Sequence, residues 1–206
     1  MAITYATPNT LLGTIGTGSR PLRLAGACAI VVFGTLLMAV SAHVRIPFIP
    51  VPATLQSMTV ALIAAAFGAR LGVATLLLYI VEGLSGLPVF TSGAGPAYVF
   101  SPTFGFIVGW VPMAYIIGAA ADRGLSHRIL PLFAVMAFAN FFVSFAIGYF
   151  WLIAVSGSAA WIDQTNVLGS AFDIAVKPFL VWDTLKLSLA AVTIAGGWQL
   201  LRSRKR

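Results

Sequence analysis

Charge is scarce in this sequence, and negative charge most of all. Only five of the 206 residues are Asp or Glu, and all charged residues together make up 8% of the chain. A water-soluble domain normally carries about 25% charged residues, so this chain cannot cover a soluble surface. Hydrophobic residues make up 60%, and the mean hydropathy is +0.99. The composition therefore predicts that lipid surrounds most of the molecule.

Six apolar segments are long enough, or nearly long enough, to cross a bilayer as helices, which takes about 20 residues. The predicted spans are 22–42, 54–67, 71–87, 103–121, 129–155 and 178–201. The prolines of RIPFIPVP separate the first two spans because proline breaks a helix, and Gly68 and Arg70 mark the turn between the next two. We expect an all-α membrane protein with a tail at 1–20 and a single six-helix domain at 21–206.

The cations set the predicted orientation, because cytoplasmic loops are enriched in Lys and Arg. With the N-terminus inside, nine cations fall on the cytoplasmic side and two in the outer loops. The nine are Arg20, Arg23, Arg70, Arg123, Arg128, Arg202, Arg204, Lys205 and Arg206, and the two are Arg45 and Lys177. Both termini are therefore predicted to be cytoplasmic, in a multi-pass protein of the cell membrane. The same placement at segment edges argues against nucleic-acid binding despite the net charge of +7.

Asp183 and Lys186 are charges inside the last predicted span. They lie about 9 and 13 Å along the helix from Lys177, and their i,i+3 spacing puts both on one face. An uncompensated charge in mid-membrane costs about 2.5–3.5 kcal/mol. One interpretation is a self-neutralising pair that fixes the helix to its neighbours. The other is a ligand site, since ionisable groups inside a membrane usually serve function.

The outer ends of other segments supply further candidates. Glu82 lies about 7 Å from the outer end of its span, so we expect it to share a polar pocket, open to the outside, with Asp183 and Lys186. Thr54 and Gln56 lie where the second span begins.

The outer loops contribute a cation and aromatic side chains. Arg45 lies at the rim, while the segment FTSGAGPAYVF carries Phe90 and Tyr98 on a backbone rich in turn-forming residues. An aromatic lid over a polar floor suits a small amphipathic ligand, although Tyr98 is equally well explained as an interfacial anchor.

Three stretches resemble one family when taken in order along the chain. They are PFIPVPATLQSMTVAL, LLYIVEGLSGLPVFTSGAGPAYVFSPTFGFIVGW and KPFLVWDTLKLSLA. The combination of VP-x-T-x-Q, GLPVF, SPT-x-G-F and D-x-x-K is similar to that of the BioY proteins, the biotin-binding S components of energy-coupling factor (ECF) transporters. The resemblance runs from about residue 25 to about residue 195, and the tail at 1–20 has no counterpart in it.

The resemblance implies an S-component-like bundle of six helices that captures biotin for uptake. It also implies that Asp183 and Lys186, which match D-x-x-K, contact the vitamin. Biotin has a ureido ring with two N–H donors and one carbonyl acceptor, and a tail that ends in a carboxylate. An ionised Asp accepts hydrogen bonds from N–H groups, and a Lys donates to a carbonyl.

The remaining pocket candidates are assigned to other parts of the vitamin. Arg45 is a candidate to face the carboxylate, with a plain loop cation as an equal alternative. Phe90, Tyr98 and Trp182 are candidates to pack on the bicyclic ring and the aliphatic tail.

The first span carries a candidate surface for partners. Ala25 and Ala29 form a small-xxx-small pair that permits close helix approach. In S components a similar Ala-rich face contacts the transmembrane subunit, and packing inside this chain is the alternative. The expected partners are biotin, the ECF transmembrane and ATPase subunits, and the lipid bilayer, with ATP hydrolysis left to the partner subunits.

Other functions stay open at this point. The closest is an S component for another small vitamin, since fold does not fix the ligand; a structural or channel subunit is a second. A membrane enzyme is disfavoured because His43 and His127 lie on opposite sides of the membrane, Cys28 has no nearby histidine, and SGAGP lacks the rest of a nucleotide-binding loop. We therefore expect no catalytic residue, no metal and no cofactor.

Overall fold

The computed structural model describes residues 20–157 and 159–203. The helices are α1 (Arg20–His43), α2 (Gln56–Leu84), α3 (Phe104–Asp122), α4 (Ile129–Phe138), α5 (Phe145–Ser156), α6 (Val167–Ala175) and α7 (Phe179–Ser203). A π-helical turn (Ala139–Ser144) joins α4 to α5, and short 3-10 turns lie at Pro96–Phe100 and Leu125–His127. Two short antiparallel strands, β1 (Arg45–Ile46) and β2 (Ala53–Thr54), hold the proline-rich loop between α1 and α2.

Five stretches of the described residues are long and apolar enough to cross a membrane. They are Pro21–His43, Gln56–Leu84, Phe104–Asp122, Ile129–Ser156 and Val167–Leu201. The predicted class of a mainly helical membrane protein is confirmed, whereas six crossings and cytoplasmic termini stay predictions. The predicted tail at 1–20 lies outside the described residues except for Arg20, which begins α1.

The second stretch is not one straight helix, because the chain reverses direction at Gly68. That residue has φ 82° and ψ 175°, a conformation that glycine adopts readily and other residues rarely do. Gln56 Nε2 donates to the hydroxyl of Tyr79 at 2.9 Å, whereas 23 residues of straight helix would separate them by about 34 Å. Helix α2 therefore consists of two antiparallel arms, 56–67 and 69–84.

Close backbone contacts hold this reversal in place. A Cβ on Gly72 would lie 3.2 Å from the Cα of Ala64 in the opposite arm, and a Cβ on Gly118 would lie 2.4 Å from the nitrogen of Ala69. The Asp122 side chain accepts a hydrogen bond from that same Ala69 N–H at 3.2 Å. The turn that the sequence places at Gly68 and Arg70 is thus packed against the end of α3.

The helices differ in how far they are covered by the rest of the chain. In the most apolar 18-residue window of α2 and of α3, 67% of the residues are buried, against 28% for α1. Helix α1 is therefore peripheral and packs mainly on α2, whereas α2 and α3 form the centre of the bundle.

Helix α6 lies between the predicted spans 129–155 and 178–201, where no helix is predicted from the sequence. The helix begins after Asn166, whose side-chain oxygen accepts a hydrogen bond from Gly169 N at 3.1 Å. It has nine residues, so it is too short to stand out as a span. It buries Ala171 and Ala175 against the bundle, and it is this tertiary packing that stabilises it.

Candidate ligand-binding cavity

A cavity opens at the end of the bundle where α2 and α7 begin and α6 ends. It holds about 550 Å³ of space between atoms, including its open side. Its wall is built from the loop before α2, the loop after α2, and helices α2, α3, α5, α6 and α7 with the π-helical turn. The lining residues are Val51, Pro52, Thr54, Gln56, Ser57, Thr91, Tyr98, Thr103, Phe106, Ile107, Trp110, Asn140, Phe145, Ala175, Phe179, Asp183 and Lys186.

Asp183 is the centre of the polar network in this cavity. Its side chain reaches the wall from the first turns of α7, and the residue is only 3% exposed. The carboxylate Oδ1 accepts from Ser57 Oγ at 3.1 Å and from Lys186 Nζ at 2.7 Å, while Oδ2 accepts from Asn140 Nδ2 at 2.9 Å. Three side chains from three different segments therefore converge on one buried carboxylate.

Lys186 neutralises that carboxylate from the next turn of the same helix. The i,i+3 spacing within α7 lets Nζ reach Oδ1 without leaving the helix face, and Nζ also lies 3.5 Å from Ser57 Oγ. A buried charge stays in a folded protein only when it is paired and hydrogen-bonded, and both conditions are met here. The pair presents acceptor positions and donor protons side by side in the cavity wall.

A second polar cluster is centred on Gln56, the first residue of α2. Its Oε1 accepts from Thr54 Oγ1 at 3.2 Å and from Thr91 Oγ1 at 3.0 Å, and its Nε2 donates to Tyr79. The Tyr79 hydroxyl in turn donates to the carbonyl of Val89 at 2.8 Å. These bonds fasten the loops before and after α2 to each other at the rim of the cavity.

The aromatic wall has two layers. Tyr98 lines the cavity, and its hydroxyl shares a hydrogen bond with Thr103 Oγ1 at 2.9 Å. Phe90 lies behind it, fully buried between Tyr98 and Tyr79, with ring centroids 4.5 and 5.3 Å away. A Cβ on Gly83 would lie 2.1 Å from the Phe90 ring. Phe90 therefore positions Tyr98 from behind and is not among the lining residues.

The structure does not bring Glu82 to this cavity. Its Oε1 accepts a hydrogen bond at 3.0 Å from Thr35 Oγ1, on the buried face of α1. The depth of a residue along a span can be predicted from the sequence, but the neighbour that its side of the helix contacts cannot. Glu82 faces α1, whereas Asp183 faces α2 and the π-helical turn. The expectation of one pocket with two acids and one base is not met by this geometry.

Arg45 and Trp182 lie beside the cavity and are not among its lining residues. Arg45 donates from its guanidinium to the Thr91 carbonyl and so ties β1 to the loop after α2. Trp182 is 46% exposed and lines a neighbouring surface groove together with Arg45, Thr54 and Lys186. Thr54 and Lys186 line both spaces, so they form the wall between the cavity and the groove.

Sequence reasoning missed Ser57, Thr91 and Asn140. Ser57 directly follows the motif VP-x-T-x-Q, so its neighbourhood to Thr54 and Gln56 could have indicated it. Asn140 lies in an apolar segment far from every quoted motif, and its only signal is that a lone amide within a span is costly to bury. A systematic search for such residues would have found it.

The small residues of α1 have two explanations from the sequence, a surface for a partner subunit and packing inside this chain. Ala25 and Ala29 are exposed, and a Cβ on the adjacent Gly26 would meet no atom within 4 Å. Packing among the described residues of this chain therefore does not explain these small residues. In the described ranges no three His, Cys, Asp or Glu side chains come close enough together to hold a metal ion.

The fold and the cavity define a class: a multi-pass helical membrane protein with a partly polar cavity at one end of the bundle. The BioY family model matches residues 17–203, and the chain belongs to the BioY family. The "Biotin transporter BioY" of Rhizobium etli is 31% identical over 171 residues, covering 78% of this chain and 87% of that protein. The protein of the same name from Thermotoga maritima is 31% identical over 159 residues, covering 77% and 87%.

A relative that aligns over a shorter stretch and a solved structure agree with the two matches above. A probable biotin transporter BioY of Lysinibacillus sphaericus is 47% identical over 87 residues, which is 42% of this chain and 44% of that protein. A crystal structure of the S-component for biotin from an ECF-type ABC transporter superposes with a TM-score of 0.71 at 21% identity, covering 92% of this chain and 96% of that one. This last likeness establishes the fold.

Proposed function

We propose that this protein binds biotin in the cavity and serves as the substrate-capture subunit of an ECF-type transporter in the cell membrane. The observation that carries the proposal is the Asp183–Lys186 pair in the cavity wall, where a carboxylate acceptor and an ammonium donor lie 2.7 Å apart. This arrangement complements a cyclic urea, which displays N–H donors beside a carbonyl acceptor. The named relatives are biotin transporters.

The rest of the cavity suits the remainder of the vitamin. Tyr98 and the apolar lining residues Phe106, Trp110 and Phe179 surround the polar pair and offer surface to a bicyclic ring and an aliphatic tail. Thr54, Gln56 and Thr91 supply polar groups at the rim. Arg45 lines the groove beside the cavity and is the proposed cation for the carboxylate. The protein needs no cofactor of its own for binding.

We further propose six membrane crossings, with both termini in the cytoplasm and the cavity facing outside. The reversal of α2 at Gly68 supports two crossings in that stretch, and the distribution of cations supports the orientation. A reporter fused after Arg206 should behave as cytoplasmic and one inserted at 156–176 as external. A C-terminus found outside would contradict this arrangement.

We propose that α1 contacts the transmembrane subunit of the transporter through Ala25 and Ala29. Both are exposed on a peripheral helix, and small residues permit close approach of a second helix. Replacing both with Leu should reduce assembly with the partner subunits while leaving biotin binding by the isolated chain unchanged.

The direct test is binding of labelled biotin to the purified full-length chain. We expect saturable, stoichiometric binding, together with no ATP hydrolysis by the chain alone. Competition with other water-soluble vitamins distinguishes the alternative ligands. If the site is built for another vitamin, that vitamin should displace the bound biotin. Absence of saturable biotin binding would contradict the proposed function.

A further inference from the structure

Asn140 carries an unused hydrogen-bond acceptor in the wall of the cavity. Among the described residues, three buried polar side-chain atoms have no hydrogen-bond partner: Asn140 Oδ1, Ser144 Oγ and Trp198 Nε1. Of these three residues, Asn140 is the one that lines the cavity. Buried polar groups are nearly always paired in folded proteins, so this oxygen calls for an explanation.

The orientation of the Asn140 amide is fixed by its neighbour. An ionised carboxylate can only accept hydrogen bonds, so the amide atom 2.9 Å from Asp183 Oδ2 must be the Nδ2 donor. The carbonyl oxygen Oδ1 is therefore turned away from Asp183. Because the residue is fully buried, solvent does not satisfy this oxygen.

The backbone around Asn140 is also unusual. Asn140 lies in the π-helical turn Ala139–Ser144 between α4 and α5, and such turns are rare and are found frequently at functional sites. Ser144, the second unpaired residue of the same turn, lies against Gly109 of α3. The turn thus presents its amide, and not its hydroxyl, at the cavity.

A count of acceptors shows what the ligand site needs from Asn140. Asp183 Oδ1 already receives two hydrogen bonds, from Ser57 and Lys186, and Oδ2 receives one, from Asn140. A carboxylate has about four acceptor positions, so one position is left, on Oδ2. A cyclic urea has two N–H donors, and Asp183 alone can take only one of them.

We propose that Asn140 Oδ1 accepts one ureido N–H of the ligand while Asp183 Oδ2 accepts the other, with Lys186 donating to the carbonyl. Asn140 is then a specificity-determining residue that selects a ring with two N–H groups. This inference rests on the proposed function, because it takes biotin as the ligand. It adds a residue and a role to which the family motifs do not point.

The test uses biotin and two analogues, each methylated on a different ureido nitrogen. The purified full-length parent should bind each analogue more weakly than biotin by roughly 5- to 100-fold, because a methyl group removes a donor and leaves a buried acceptor unpaired. Equal binding of biotin and either analogue by the parent would overturn the proposal. This measurement needs no variant and so does not depend on a mutant folding.

Two replacements of Asn140 assign the effect to its oxygen. Asn140→Leu keeps the bulk of the side chain, and Asn140→Ala opens space. Both should bind biotin more weakly than the parent, and both should lose discrimination against one analogue while keeping it against the other. Loss of discrimination in the Ala variant alone would attribute the effect to space and contradict the proposal.

Ser57→Ala is the matched control. Ser57 also donates to Asp183, so the variant weakens the support of that carboxylate without removing an acceptor for the ligand. It should weaken binding of all three ligands by the same factor and keep both discriminations. If the Asn140 variants behaved in this same way, Asn140 would merely support Asp183 and the proposal would be wrong. A parent that bound no biotin would instead contradict the proposed function, and this inference with it.

Discussion

Two Asp–Lys pairs stand at neighbouring positions of the chain, and their surroundings give them opposite properties. Asp173 and Lys177 lie 3.1 Å apart at i,i+4, with side chains 61% and 68% exposed. Asp183 and Lys186 lie 2.7 Å apart at i,i+3, with side chains 4% and 13% exposed. The first pair is solvated at the end of α6, whereas the second is buried in the cavity wall.

The difference lies in what surrounds each pair. An exposed pair gains little, about 0–1 kcal/mol, because water and salt screen it. A buried pair loses its hydration and is retained only with further hydrogen bonds, which Ser57 and Asn140 supply to Asp183. Burying the pair therefore costs hydration free energy, and it leaves donors and acceptors held in fixed positions. A ligand site requires donors and acceptors that are fixed in this way.

The largest expected effect comes from breaking the buried pair. Asp183→Asn or Lys186→Met alone strands the opposite charge, which costs about 3–5 kcal/mol of stability, and should lower the membrane yield as well as abolish biotin binding. The double variant should recover yield because no charge is left unpaired. Labelled-biotin binding measured alongside yield checks this.

The double variant also separates the two interpretations of the pair. If it recovers yield but binds no biotin, the pair is a ligand site. If it binds biotin as the parent does, the pair is only structural and the proposed function loses its main support.

A charge exchange sharpens the comparison. Asp183→Lys with Lys186→Asp keeps a pair in the helix but turns the donors of Ser57 and Asn140 toward a cation. We expect at least a 100-fold loss of biotin affinity, since more than one charge-assisted contact of about 1.5–3 kcal/mol is lost. The same exchange at Asp173 and Lys177 is the control and should leave affinity unchanged, as measured by titration of both proteins.

Glu82 provides an acid of similar chain depth that lies away from the cavity. Glu82→Gln keeps an acceptor for Thr35, so the contact between α1 and α2 is preserved. We expect the biotin affinity to stay within about threefold of the parent. The substituted residue lies away from the cavity, so the binding free energy should change by less than about 0.6 kcal/mol. A large loss of affinity would place Glu82 in the ligand site after all.

The smallest effect on biotin affinity is expected at the exposed pair, because neither Asp173 nor Lys177 lines the cavity. Asp173→Asn or Lys177→Met should change the stability by less than about 1 kcal/mol, and added salt should remove even that difference. Thermal unfolding in detergent at low and at high salt measures both quantities. A loss of several degrees that persists at high salt would show that this pair does more than its exposure indicates.

Much of the fold could be predicted from the sequence, because the solvent imposes it. A chain with 8% charge and 60% hydrophobic residues must lie in lipid, where backbone groups are satisfied within helices. Proline and glycine then mark the breaks, as at Gly68, where the chain reverses. Helix α6 escaped prediction because nine residues carry too short a pattern and depend on packing.

The candidate site was predicted in part, and the division has a physical cause. Spacing within one helix fixes which residues share a face, so Asp183 and Lys186 could be paired from the sequence. Which helix meets which face is decided by packing between segments distant in the chain. The sequence therefore determined the membrane environment, the helical class and the charged pair of α7. Tertiary structure alone sent Glu82 to α1, put Phe90 behind Tyr98 and brought Ser57 and Asn140 to Asp183, because these contacts join residues up to 126 positions apart.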